Sequence, residues 1–337
     1  MTQHEITGPV DLLDARGGVV EPGWARRMHV RYNREAIRAN AFARKEWDFY
    51  QLRHGDWVVQ LTIGHLSYAG SVSVAAFHLR TGEERGFGRI VPLPLNRWVL
   101  DRDPDRGSEV SVQRRGWGAR FVADEAGRRL VVRDEASRTD VDITLVDRPG
   151  DDEMAIATPF EDPTRFYLNA KRNFWGASGR LVLGDLVIEL DETTTAVLDW
   201  GRGVWPYRHG WTWGNATGWA GSRRIAFNIG WGFGDTRAAT ENVLFVDGEA
   251  TKLGTITVAR HDDDLMRPWV FSSDDGAFDL TMDPIHDHDT AIRIPPVVST
   301  RSHQVWGTWN GTVRTHAGEV VEVRDLVAFC EHVKNRW

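Results

Sequence analysis

"WVVQLTIGHLSYAGSVSVAAF", residues 57–77, holds two runs in which Val, Ile and Ala alternate with Thr, Ser and Gln, joined through a Gly-containing turn. Alternation with a period of two sends successive side chains to opposite faces, and β-branched residues fit a pleated surface. The stretch therefore predicts two neighbouring strands. The same composition recurs in "RLVVR" (129–133), "VDITLV" (141–146), "RLVLGDLVIEL" (180–190), "RRIAFNI" (223–229), "NVLFVDG" (242–248) and "GTITVAR" (254–260). Turn sequences rich in Gly and Asp separate them, as in "RTGEE" (80–84), "DEAGRR" (124–129), "VDGEA" (246–250) and "THAGEV" (315–320). Short strands at spacings of about 8–12 residues predict an all-β chain of antiparallel barrels or sandwiches.

Helical periodicity is scarce. Residues 33–46, "NREAIRANAFARKE", allow one short helix with a narrow apolar face. The last segment, "VRDLVAFCEHVKNRW", fits a helix or a strand, and the uncapped approach "GEVVEV" favours a strand. Residues 148–165, "RPGDDEMAIATPFEDPTR", are acidic, hold three prolines and break the alternation. They are the expected junction between two β-barrel-like halves, residues 1–160 and 161–337.

With 337 residues, 41% of them apolar, the chain can bury a large core and enclose a ligand. Its net charge is −7 and its basic residues are scattered among acids, which argues against a nucleic-acid partner. The opening residues carry no secretory pattern, and no window reaches about 18 uninterrupted apolar residues, so neither a signal nor a transmembrane segment is expected. Cys330 is the single cysteine. An intrachain disulfide is thereby excluded, and a cytoplasmic location is expected.

The chain also has 16 tryptophans against 5 tyrosines. A buried indole needs a partner for its N–H, so a core is more simply filled with Leu or Ile. An excess of Trp points either to barrel plugs or to a surface that recognises something flat, greasy or cationic. Five of the tryptophans fall in "DWGRGVWPYRHGWTWGNATGW" (199–219). A strand ending there places Asp199 and Trp200 on opposite sides of the pleat. A carboxyl group among indoles loses hydration, which disfavours its charged form and suits it to general-acid work. Tryptophan faces stabilise a cation by ~0.5–2 kcal/mol per ring. Protonating an alkene and holding the cation is hydratase, isomerase or cyclase chemistry.

The candidate proton carriers are Asp199, Glu241 and Asp48. Trp200, Trp205, Trp211, Trp213 and Trp231 are candidates for the wall. Arg202, Tyr207, Arg208, Asn228 and Asn242 are candidates for orienting a polar end. The competing structural reading pairs Asp199 with Arg202 or Arg208 as a buried ion pair at a strand corner.

Other chemistries find little support. "GWGFGD" (230–235) is glycine-rich, but no helix pattern follows it to present amides to a phosphate. "GASGR" (176–180) lacks the flanking spacing of a nucleophile elbow. "HDDD" (261–264) and "IHDHD" (285–289) offer ligand atoms without a third partner at recognisable spacing. Neither a metal nor a cofactor is expected.

At "DLLDARGGVVEPGWARR" (11–27), "KEWDFYQL" (45–52), "LDWGRGVWPYRHGWTWGNATG" (198–218), "NIGWGFGD" (228–235) with "TENVLFVDG" (240–248), and "WGTWNG" (306–311), the chain resembles the bacterial domain-of-unknown-function family 2804. More distantly it is similar to the lipocalin-like proteins that include carotenoid 1,2-hydratase, AttH and polyene cyclases. That resemblance implies two calycin-type β-barrels, a greasy ligand within or between them, no cofactor, and acid-catalysed or shape-directed chemistry on an isoprenoid, polyene or lipid-like molecule. It maps their tryptophan–aspartate block onto Asp199 and Trp200. Two alternatives stay open: a non-catalytic carrier of a hydrophobic small molecule, and a carbohydrate-active protein with an open Trp-lined groove. The sequence leaves the oligomeric state open.

Overall fold

The structure, a computed structural model, describes residues 3–94, 98–105, 107–124, 127–294 and 298–337. Among the described residues helix is confined to two single 3-10 turns, Arg34–Ala36 and Ala41–Ala43. They occupy the segment expected to form a short helix. Its apolar face is too narrow to bury, and from Arg44 the chain runs on as strand Arg44–His54.

Two large antiparallel sheets hold almost all the strands. The first runs from edge to edge as Glu84–Pro92, Ala69–His78, Trp57–His65, Arg44–His54, Thr195–Val204, Phe166–Leu183, Thr139–Val146, Gly127–Asp134, Trp117–Asp124 and Glu109–Arg114. The second runs as Glu249–Lys252, Val243–Val246, Arg223–Trp231, Arg208–Ala220, Val320–Arg336, Val298–Arg314, Phe278–Ile294, Trp269–Ser273 and Ile256–Ala259. The strands read from residues 57–77 pair with each other, Thr62 opposite Ser73. Val72, Val74 and Ala76 on alternate positions enter the core.

The chain passes between the sheets at residues 205–207, where Pro206 has no N–H to continue a ladder. Strands Phe166–Leu183 and Thr195–Val204, expected in the second half, therefore complete the first sheet. The acidic segment 148–165 is likewise no free junction. Its Met154–Pro159 forms a buried strand between Gly23–Ala25 and Phe166–Leu183. Met154, Ala155, Ile156 and Ala157 form a short apolar run, and burying it against two strands outweighs the turn-forming residues around it.

Each sheet encloses its own core. Leu61, Val72, Leu130, Ile143 and Leu198 belong to the first, and Phe227, Leu244, Trp269, Leu280 and Trp309 to the second. The outer faces meet in a seam where Val58 and Phe77 of the first sheet pack with Trp213, Trp306 and Phe329 of the second. A second apolar contact between the halves joins Trp24, Met154 and Phe174 to Val243 and Phe245.

Candidate active site

The seam opens into a cavity of about 440 Å³ lined by residues from both sheets. That is within the usual size of a small-molecule site, roughly 300–1,000 Å³. Alternation selects what faces it. On Phe166–Leu183 the odd positions Tyr167 and Lys171 reach the cavity, while Phe166, Leu168 and Ala170 turn into the first core. On the neighbouring strand Asp199 lies directly opposite Lys171 and Phe49 lies opposite Asp199. The second sheet supplies Trp211 and Trp213 from Arg208–Ala220, and Glu331, Val333 and Asn335 from the last strand. Gly201 has a steric task here. A β-carbon on it would come within 2.4 Å of the Trp47 ring, so only glycine lets that indole lie across the strand onto the cavity wall.

A compact set of charged groups occupies one end. Lys171 Nζ lies 3.0 Å from Asp199 Oδ2 and 3.7 Å from the centre of the Trp213 ring. Asn169 donates to the other Asp199 oxygen at 2.6 Å. The Trp213 indole is fixed in turn by donating to Asn228 Oδ1 at 2.7 Å, and Asn228 donates to the Glu241 carbonyl at 2.8 Å.

Two further carboxyl groups face the cavity without an arginine or lysine in contact among the described residues: Glu241 and Glu331. Glu331 accepts from the Trp211 indole at 2.7 Å on one oxygen and from the Gln304 amide at 3.1 Å on the other. Burial pushes it up to about 6, against the lowering pull of those two donors and of the Lys171 ammonium. Burial also raises Glu241, opposed by Lys171 and reinforced by the Asp199 charge. A β-carbon on Gly230 would stand 3.1 Å from Glu241 Oε2, so glycine leaves that carboxyl its room. The Tyr167 hydroxyl is held far above its ordinary range by burial and by the carboxylates of Asp199, Glu241 and Glu331.

Gln304 ties this end to the opposite sheet. Its Oε1 accepts from Gln60, whose amide also donates to Gln51, and from the Trp306 indole. The chain of amides thus runs from Glu331 across the seam. The rest of the wall is largely apolar and aromatic, including Trp47, Phe49, Trp231, Phe233 and Trp337. On it the Tyr68 hydroxyl and Asn335 Oδ1 are buried without a partner among the described residues.

The domain-of-unknown-function model DUF2804 matches residues 3–337. The chain belongs to the DUF2804 family. No protein of curated function matches its sequence. Among solved structures, the DUF2804 chain is similar to an AttH from Nitrosomonas europaea, with 14% identity, TM-score 0.51, and coverage of 89% of this chain and 95% of that one. It is also similar to CghA, with 14% identity, TM-score 0.50, and coverage of 98% and 97%. Kievitone hydratase from Nectria haematococca aligns more loosely, at 11% identity and TM-score 0.46 over 87% of this chain and 88% of that one. These likenesses concern the fold, which is the lipocalin-like pair of antiparallel β-barrel halves.

Of the residues singled out in the sequence, Asp199, Glu241, Trp211, Trp213 and Trp231 line the cavity. Asp48, Trp200 and Arg202 lie on the other side of the pleat. There Arg202 pairs with Asp48 at 2.9 Å, stacks 4.0 Å above Trp200 and donates to the Asp101 carbonyl, forming a buried structural cluster. The partner of Asp199 is thus Lys171, and neither Arg202 nor Arg208 takes that place. Trp205 is buried behind the wall against Trp47, Tyr167 and Phe233. Tyr207 and Arg208 are exposed, and Asn242 holds the Gly230 amide and the Gly254 carbonyl.

Lys171 and Glu331 are the two charged residues of the DUF2804 site that the sequence reading passed over. Each carries a local signal, a lone charge in an otherwise buried alternating stripe: Tyr167, Asn169, Lys171, and Phe329, Glu331, Val333. Among the described residues no group of three or more His, Cys, Asp or Glu side chains is placed to hold a metal, and no helix is long and apolar enough to cross a membrane.

Proposed function

We propose that this DUF2804 protein is a cofactor-independent enzyme of the hydratase, isomerase or cyclase type, acting on a hydrophobic small molecule in the seam cavity. One observation carries the reading: Glu241 and Glu331 face an aromatic chamber with raised proton affinity and, among the described residues, without a contacting arginine or lysine. A carrier has no use for such groups, because a buried carboxyl with no cation in contact costs stability even where hydrogen bonds partly compensate it. A general acid needs them, since its best proton affinity lies near the working pH.

Glu331 takes the role of proton donor and Glu241 that of the partner base. Asp199 is already engaged by Lys171 and Asn169 and serves to position the ammonium. The two halves we take to divide at residues 205–207, so that the cavity is made where they meet.

The test starts from protein purified from its own cells, extracted with organic solvent and read by mass spectrometry. An apolar molecule that wild type converts, and that Glu331→Gln or Glu241→Gln leaves unchanged, supports the proposal. An apolar molecule that wild type returns unchanged makes the protein a carrier. A retained oligosaccharide moves the site to a glycan groove.

A further inference from the structure

The charges at the polar end of the cavity decide which hydrophobic substrates suit it. A cation held on tryptophan faces was the chemistry suggested by composition alone. In the folded protein the Trp213 face is taken: Lys171 Nζ sits 3.7 Å from its centre. A carbocation formed there meets a fixed ammonium of like charge. An oxygen on which negative charge develops meets an attractive one.

Lys171 has three N–H donors. Asp199 takes one at 3.0 Å and the indole face lies against the head group, which leaves donor capacity toward the cavity that Lys171 lines. The Tyr167 hydroxyl lines the same end and stays a phenol, and the Lys171 charge acts on both Glu241 and Glu331. Because both strands are buried and Lys171 stands directly across the ladder from Asp199, the ammonium is held in place before any ligand arrives.

We propose that this end of the cavity is an oxyanion site built around Lys171, and that the substrates are α,β-unsaturated ketones or related conjugated carbonyl compounds. The proposal rests on the catalytic reading above and narrows it. The step it supports is conjugate addition of water. The water oxygen bonds to the β-carbon as one water proton passes to the Glu241 carboxylate. The C=C electron pair shifts through the conjugated system onto the carbonyl oxygen, giving an enolate against Lys171 Nζ. The enolate then re-forms its C=O as the α-carbon takes the proton of Glu331. The product is a β-hydroxy ketone, with Glu241 protonated and Glu331 ionised, and proton exchange with solvent returns both to their starting forms. The reverse sequence is a dehydration.

The experiment compares chalcone with 1,3-diphenylpropene, the matching hydrocarbon without the carbonyl. Affinity is followed by quenching of tryptophan fluorescence, and turnover by loss of the enone absorbance of chalcone or of the styrene absorbance of the hydrocarbon. Lys171→Met alone leaves Asp199 buried with only Asn169, so the informative variant is Lys171→Met with Asp199→Asn, checked for native unfolding behaviour. Wild type is expected to bind chalcone about tenfold or more tightly than the hydrocarbon, and the double variant to bind the two alike. Equal binding of both by wild type, or binding of neither, overturns the oxyanion site. Preference for chalcone without turnover sustains the site and sinks the hydratase reading. Turnover of 1,3-diphenylpropene sustains acid catalysis and overturns the substrate class drawn here.

Discussion

Replacing Glu331 by glutamine removes a buried titrating group while keeping its size, and the consequence is a change in how stability depends on pH. In the folded protein burial raises this carboxyl from 4.5 to about 6. A raised folded value means that its contribution is fully present below about pH 4.5 and is lost as pH climbs through about 6. At 1.36 kcal/mol per unit the loss is about 2 kcal/mol, borne by wild type and not by the variant. The glutamine costs something of its own, because its NH₂ faces the Gln304 amide donor where a carboxylate oxygen accepted. That cost is the same at every pH, so the diagnostic quantity is a difference of differences. Urea unfolding followed by tryptophan fluorescence, run at about pH 4 and about pH 8 on both proteins, measures it. Wild type is expected to lose about 2 kcal/mol more than Glu331→Gln between the two conditions. Parallel losses refute the claim that Glu331 holds its proton toward neutrality.

Four more outcomes follow from particular contacts. Trp211→Phe removes an indole that donates to Glu331 and stabilises its charged form, so the Glu331 midpoint moves further up in an NMR titration of the side-chain carboxyl. Arg202→Met leaves Asp48 buried without its cation and costs about 3–5 kcal/mol in urea unfolding. Any Arg202→Met protein that still folds keeps its ligand affinity, since this cluster lies across the pleat from the cavity. Gly201→Ala drives a β-carbon into the Trp47 ring, costing about 1–3 kcal/mol and weakening ligand binding by displacing that wall. Gln304→Ala cuts the amide chain between Glu331 and Gln60, and its expected signature is a raised Glu331 midpoint with little change in the stability of the remote first core.

The strands were legible because their alternation is a local property. Val72, Val74 and Ala76 can be assigned to one face from residues 71–77 alone, and the pairing only has to agree. Strand Met154–Pro159 was hidden for the opposite reason. Its apolar run is four residues long among acids and prolines, and it is a strand because Gly23–Ala25 and Phe166–Leu183, far away in sequence, flank it.

The site divides in the same way. Asp199, Glu241 and the Trp211–Trp213 pair stand out by residue type and neighbourhood. Trp200 and Arg202 share that neighbourhood yet leave the cavity, because a pleat turns adjacent residues to opposite faces. Lys171 is invisible as the partner of Asp199 until the register of the two strands is known. Glu331 lies in a segment that fits either period. As a strand its stripe reads Phe329, Glu331, Val333, Asn335, and one acid in a buried row is a signal that a helical reading disperses.

The central claim is that the seam between the two halves moves protons on an apolar small molecule. The most direct measurement is incorporation of solvent deuterium at carbon when the molecule extracted from the protein, or chalcone, is incubated with wild type in heavy water. The account predicts deuterium at a single carbon, at a rate abolished in Glu331→Gln and retained in Arg202→Met protein that folds. Recovery of the ligand without deuterium, or the same incorporation in Glu331→Gln, would contradict it.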